Sequence, residues 1–106
     1  MHYEHEASIR EEDIATRTDV HAALAEGLAF PAHYGANLNA LEDSLGDVSS
    51  PSIVRVLRSR EEDEELPFAE YLDRVCTILM RAARENPALE VEISFAEPAR
   101  GWDEAY

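Results

Sequence analysis

From residue 51 to residue 95 the chain reads as one strand, one long helix and one strand, and that succession limits the fold more than any other feature. Ile53-Val54-Arg55-Val56-Leu57 is a mostly β-branched run of strand length, suited to a sheet covered on at least one face. Phe68, Tyr71, Leu72, Val75, Leu79, Ala82 and Ala83 recur at helical spacing and trace the buried stripe of the longest helix. Pro67 stands at a favoured first helical position, and Asn86-Pro87 stops the helix. Leu89, Val91, Ile93 and Phe95 then alternate with Glu90, Glu92 and Ser94, the pattern of a strand with one wet face. Strands separated by helices pair in parallel through right-handed crossovers.

The N-terminal half repeats the alternation more faintly. Tyr3, Ala7 and Ile9 support a short first strand over residues 7–9, followed by a charged turn over residues 10–13. Thr18 is the expected cap of a helix whose buried face carries Val20, Ala23, Leu24, Gly27 and Leu28, with Asp19 opposing the positive end of the dipole. Gly27 weakens its last turn, and Phe30-Pro31 closes it. Asn37 caps a second, short helix ending at Gly46, in which Leu38, Leu41 and Leu45 fall at i, i+3 and i+7 and form the buried stripe. The expected fold is α/β, a three-stranded parallel sheet packed with three to four helices. At 106 residues the chain has room for one core, placed here over residues 1–96. Residues 97–106 carry Pro98, Gly101 and alternating charge and are expected to be a mobile tail, from which Trp102 can dock back.

Charge narrows the classes of partner. With 23 acidic against 9 basic residues the formal net charge is −14, which argues against direct binding to nucleic acid, where Lys and Arg on phosphate supply the main attraction. Such a field speeds encounter with a basic protein and weakens with salt, yet from charge alone a solvated acidic surface serving solubility or a salty cytoplasm is the commoner explanation. Glu61-Glu62-Asp63-Glu64-Glu65 is the densest acidic run and reads as a solvated loop or irregular turn. The one cysteine, Cys76, lies on the apolar stripe of the long helix and cannot form an internal disulfide. With no apolar signal segment and no run long enough to span a bilayer, the expectation is a reduced, cytoplasmic protein.

The second helix carries the most unusual surface. Opposite its leucines, Asn39, Glu42 and Asp43 project at offsets of three and four, and Tyr34 and Gly35 place an aromatic ring and an unhindered backbone just ahead of them. Gly35 in a left-handed turn and Tyr34 covering the core edge account for those two residues as well as a contact role does. The stretch Y-G-x-N-L-x-A-L-x-D-x-L over residues 34–45 resembles the signature of the barstar family, intracellular inhibitors of the ribonuclease barnase. The resemblance continues upstream through Thr18-Asp19-Val20-His21, Leu24 and Pro31, and downstream through Pro51 and Ile53-Val54; from residue 68 to 95 it holds in pattern only.

That resemblance implies a protein inhibitor of a basic, secreted, guanyl-specific ribonuclease, acting without cofactor, metal or catalysis, monomeric when free and bound one to one. It implies partner contacts from His33, Tyr34, Gly35, Asn37, Leu38, Asn39, Glu42, Asp43 and Gly46. A ribonuclease concentrates cationic groups where its phosphodiester sits, and Asp43 matches the family's aspartate that enters such a site as a phosphate stand-in. Asn39 stands where the best-known member has a second aspartate, Glu42 where it has a tryptophan and His33 where it has a tyrosine. These departures imply a different ribonuclease. The alternative is a barstar-like immunity or adaptor protein for another basic toxin or regulator. An acid/base enzyme using Asp43 with His33 or Glu42 would need a concave pocket, which a convex helix does not supply. His2, Glu4, His5 and Glu6 read as a polar end rather than metal ligands, and His21 reads as a structural hydrogen-bonder.

Overall fold

The computed structural model describes residues 2–59 and 69–95 of the chain. Its elements are β1 (His5–Arg10), a 3-10 turn (Glu11–Asp13), α1 (Arg17–Leu28), α2 (Leu38–Gly46), β2 (Ser52–Arg58), α3 (Ala69–Glu85) and β3 (Leu89–Phe95). The strands form one parallel sheet in the order β1-β2-β3, so the β-branched run is the central strand. Ala7 lies beside Val54, which lies beside Val91; Ile9 lies beside Val56, which lies beside Ile93. Period-two alternation therefore gathers Ala7, Ile9, Val54, Val56 and Leu89 on one face, where Val20, Leu24 and Leu28 of α1, Leu41 and Leu45 of α2, and Leu72, Val75, Cys76 and Leu79 of α3 close over them. The opposite face is charged: Arg55 reaches Glu6 at 2.8 Å and Glu92 at 3.4 Å, an opposite-sign ladder across all three strands.

Where the structure departs from the sequence reading, a nearby partner explains it. β1 runs from His5 to Arg10 rather than over residues 7–9, because ladder pairing with Ser52 through Leu57 does not require apolar side chains on the wet face. The cap of α1 is Thr16, not Thr18. Thr16 Oγ1 accepts from the Asp19 amide at 3.2 Å, while the Asp19 carboxylate accepts from the amides of Thr16 and Ala15 at 3.0 and 2.9 Å. This reciprocal box satisfies more orphan donors than a cap at Thr18 would. The Asp19 carboxyl is held below the usual range by those backbone donors. At the other end the chain leaves α1 through Ala29 in the left-handed region, with φ of 58°.

The turn over residues 10–13 is charged as expected, but Glu11 is not solvated. It is 6% exposed and accepts from Arg58 Nε at 2.8 Å and from the Ser59 amide at 2.9 Å. The same guanidinium reaches Asp73 at 3.0 Å and the Ala69 carbonyl at 3.3 Å, tying the start of α3 to the end of β2. Cys76 is a buried free thiol whose pKa burial raises, in keeping with a packing role. Residues 60–68 and 96–106, with the acidic run, Pro67, Phe68 and Trp102, lie outside the described residues.

Gly27 is required by packing rather than by its backbone conformation. A Cβ there would stand 2.5 Å from Cα and Cβ of Ala7 and 2.6 Å from the Glu6 carbonyl, so α1 lies against β1 at a distance only glycine permits. Helix propensity favours alanine by about 1 kcal/mol, whereas forcing a packed core apart costs about 1–3 kcal/mol. Gly27→Ala is therefore expected to lower the urea midpoint of unfolding; a raised midpoint would mean that α1 and β1 do not touch as described.

Candidate partner interface

The short helix α2 is made rigid from both ends. Asn37 is its cap, as the sequence suggests, its Oδ1 accepting from the Ala40 amide at 2.8 Å. Leu41 and Leu45 are 0% exposed and anchor it to the core, while Leu38, in its first turn, is only half-buried. At the C-terminal end the Asn86 amide donates to the carbonyls of Leu45 at 3.0 Å and Val48 at 2.9 Å, tying the end of α2 and the turn after it to the end of α3. Asn86 does more than stop α3: it clamps α2. The left-handed residue in the loop before α2 is Ala36, with φ of 54°, and not Gly35.

Tyr34 is fixed by a hydrogen-bond chain through the interior. Its hydroxyl lies 2.6 Å from His21 Nδ1, and the other ring nitrogen lies 2.5 Å from the hydroxyl of Tyr71. His21 is 2% exposed and its pKa is lowered by burial, so the ring is neutral, with one nitrogen donating and the other accepting. Burial, then the proximity of Tyr71, pushes the Tyr34 phenol up to about 12, which keeps it protonated as a hydrogen-bonding partner. The Tyr34 ring packs at 4.8 Å from that of Phe30. The chain His21 joins thus holds α1, the loop before α2, and α3 in one arrangement.

The predicted site residues divide between three concavities around α2. Asp43 borders a hollow of about 320 Å³ with Phe30, Pro31, His33, Tyr34 and Asp47 among its walls. Glu42 and Gly46 face a second, about 310 Å³ in volume, between α2 and α3, where Arg81 Nη1 donates to Glu42 at 3.2 Å. Asn37, Leu38 and Asn39 face a third, about 390 Å³ in volume, with Arg17, Tyr71 and Arg74. Asn39, Glu42 and Asp43 therefore do not form one surface. Successive residues turn by about 100° on a helix, which puts Glu42 and Asp43 on opposite flanks of the Asn39 line. The supposed convexity also fails, since Asp43 lies beside a hollow. His33 and Asp43 share no hydrogen bond there, so no acid/base pair is assembled.

One site residue escaped the sequence reading. Asp47 is four residues beyond Asp43, the spacing that places helical neighbours on one face, and joins it at the hollow. Both are exposed, and neither forms an ion pair among the described residues. Two like charges in that relation disfavour the helix slightly and leave an uncompensated negative edge beside aromatic rings. No group of three or more His, Cys, Asp or Glu among the described residues is placed to hold a metal, and no described helix is long and apolar enough to cross a membrane.

Comparison with known families gives one result that decides the relationship: the family model described as Barstar (barnase inhibitor) matches residues 4–96. The chain belongs to the barstar family. That match spans every element from β1 to β3, including the part from residue 68 onward where the sequence resembles the family in pattern alone. No curated protein matches the chain. Within this barstar-family fold, Arg81 of α3 is an internal partner of Glu42.

Because the His21 pKa is lower in the fold than the ordinary value of 6.5, the unfolded chain takes up the proton first as pH falls. Stability from this group is complete above about pH 6.5, falls below it, and levels off beneath the depressed folded value. His21→Gln is expected to cost about 1–3 kcal/mol at pH 7.5 and measurably less at pH 5.5, read from urea unfolding of both chains. A cost that stays constant or grows toward acid would contradict a buried neutral imidazole.

Proposed function

We propose that this chain inhibits a basic, secreted, guanyl-specific ribonuclease of the barnase type by seating α2 and the loop before it in the enzyme's cationic cleft. The observation that carries the reading is Asp43, an exposed carboxylate with no cation partner among the described residues, on a helix clamped at both ends. A cleft that binds RNA phosphate offers arginine, lysine and histidine donors, and a fixed carboxylate accepts from them through short charge-assisted bonds. Asp47 adds a second charge, while Tyr34, Phe30 and His33 supply flat surface for contact around it. His33, Tyr34, Gly35 and Asp43 form the centre of the contact; Asn37, Leu38 and Asn39 extend it on one flank and Glu42 and Gly46 on the other.

Inhibition is by occupation of the site, with no chemistry on the inhibitor. The net charge of −14 accelerates encounter with a basic enzyme, and protection of a cytoplasm in which that enzyme is made suits a monomer binding one to one. The family match supports a ribonuclease partner in general. The departures at His33, Asn39 and Glu42 favour an enzyme other than barnase itself.

Titration of the chain into a panel of guanyl-specific secreted ribonucleases, followed by RNA cleavage, tests this. Stoichiometric loss of cleavage with at least one enzyme is expected; binding without inhibition would instead support an adaptor, and turnover of RNA by the chain would support an enzyme. For the inhibited ribonuclease, Asp43→Ala is expected to raise the dissociation rate roughly thirtyfold or more. Neutralising the acids of residues 61–65, which lie outside the described residues, is expected chiefly to slow association at low salt. Equal, small effects of the two changes would refute that division of labour.

A further inference from the structure

The flank of α2 away from Asp43 has the opposite electrical character. All nine basic residues of the chain are arginines, and of those described Arg10, Arg55, Arg58 and Arg81 are engaged with carboxylates. Arg17, Arg74 and Arg84 are not, among the described residues, and Arg17 and Arg74 share one open concavity of about 390 Å³ with the amides Asn37 and Asn39. Arg17 lies over the ring of Tyr71, its guanidinium carbon 4.7 Å from the centroid. That ring is itself oriented by the hydroxyl bond to His21, so the guanidinium sits over a fixed support. In a chain this acidic, two arginines from α1 and α3 that pair with no carboxylate among the described residues and lie beside neutral amides form a local basic patch.

We propose that this face receives a carboxylate side chain of the same protein that meets Asp43. The interface is then bipolar: acid from Asp43 and Asp47 on one flank of α2, base from Arg17 and Arg74 on the other. The inference rests on the proposed inhibitor function for the identity of the partner, but its chemistry is independent of it. A polyanion such as RNA is not the occupant, because two arginines cannot offset repulsion from a surface of −14, whereas a single carboxylate needs only a planar fork and a second donor. The openness to solvent and the position along the same helix as Asp43 suit a side chain carried on a docked protein. Mixed signs on one face also give register: a partner uniformly basic across this surface is repelled on one side while attracted on the other.

Two measurements on the full chain test this. In the first, the double variant Arg17→Gln/Arg74→Gln is compared with Asp43→Ala for affinity toward the ribonuclease that the chain inhibits best. A loss of roughly tenfold or more in the arginine variant is expected. Loss in Asp43→Ala with unchanged or tighter binding in the arginine variant would overturn the bipolar interface while leaving the inhibitor reading intact. In the second, which needs no ribonuclease, a capped diglutamate peptide is titrated into the isotopically labelled chain while the arginine Nε–H resonances are followed. Shifts at both Arg17 and Arg74, absent from the glutamine variant, are expected. If no ribonuclease is inhibited the inhibitor reading fails, and this titration alone decides: no shift, or shifts that persist without the arginines, overturns the carboxylate site.

Discussion

Burial of Leu41 and Leu45 is the constraint on which the rest of the molecule depends. These two side chains are wholly withdrawn from water, each worth roughly 1.5–3 kcal/mol, and they commit one face of a nine-residue helix to the core. A helix that short is marginal by itself in water. Its order comes from that burial, from the Asn37 cap, and from the Asn86 amide holding the carbonyls of Leu45 and Val48. Once the leucine face is fixed, helical geometry leaves no freedom in where Asn39, Glu42 and Asp43 point.

The charges around α2 gain meaning from that rigidity. Glu42 is neutralised within the molecule by Arg81, and Asp19 and Glu11 spend their carboxylates on backbone amides and Arg58. Asp43 and Asp47 spend theirs on nothing among the described residues, so the cost of desolvating and pairing them is deferred to a complex. A fixed acceptor loses little conformational freedom on binding, which is what separates a carboxylate able to anchor an interface from one that merely contributes to the field. The His21 chain extends the same logic to Tyr34, which lines the same hollow as Asp43 and whose hydroxyl is tied to a buried imidazole.

The local features of this arrangement were legible in the sequence. β2, α3 and β3 follow from their periodicities, and the Asn37 cap with Leu41 and Leu45 follows from residues within a span of nine. Thr16 was misread in favour of Thr18 although the spacing Thr16-x-x-Asp19 is itself a capping signal, a matter of choosing between adjacent hydroxyls. The left-handed position fell on Ala36 because the path of the loop, and not the presence of glycine, decides where φ turns positive. The rest was beyond local reading. Arg81 with Glu42, Arg58 with Glu11, and Arg17 with Arg74 meet only because the sheet brings distant segments together, and no periodicity announces such pairs. The hollow beside Asp43 likewise belongs to the packing of α1's exit against α2.

The central claim is that α2 occupies the place of RNA's phosphate in a ribonuclease cleft. It is tested most directly by measuring affinity for the inhibited enzyme at increasing concentrations of a guanosine mononucleotide that fills that cleft. Mutually exclusive binding is predicted, with apparent affinity falling in proportion to nucleotide occupancy. A ternary complex, in which nucleotide and inhibitor are held together with undiminished affinity, would contradict it.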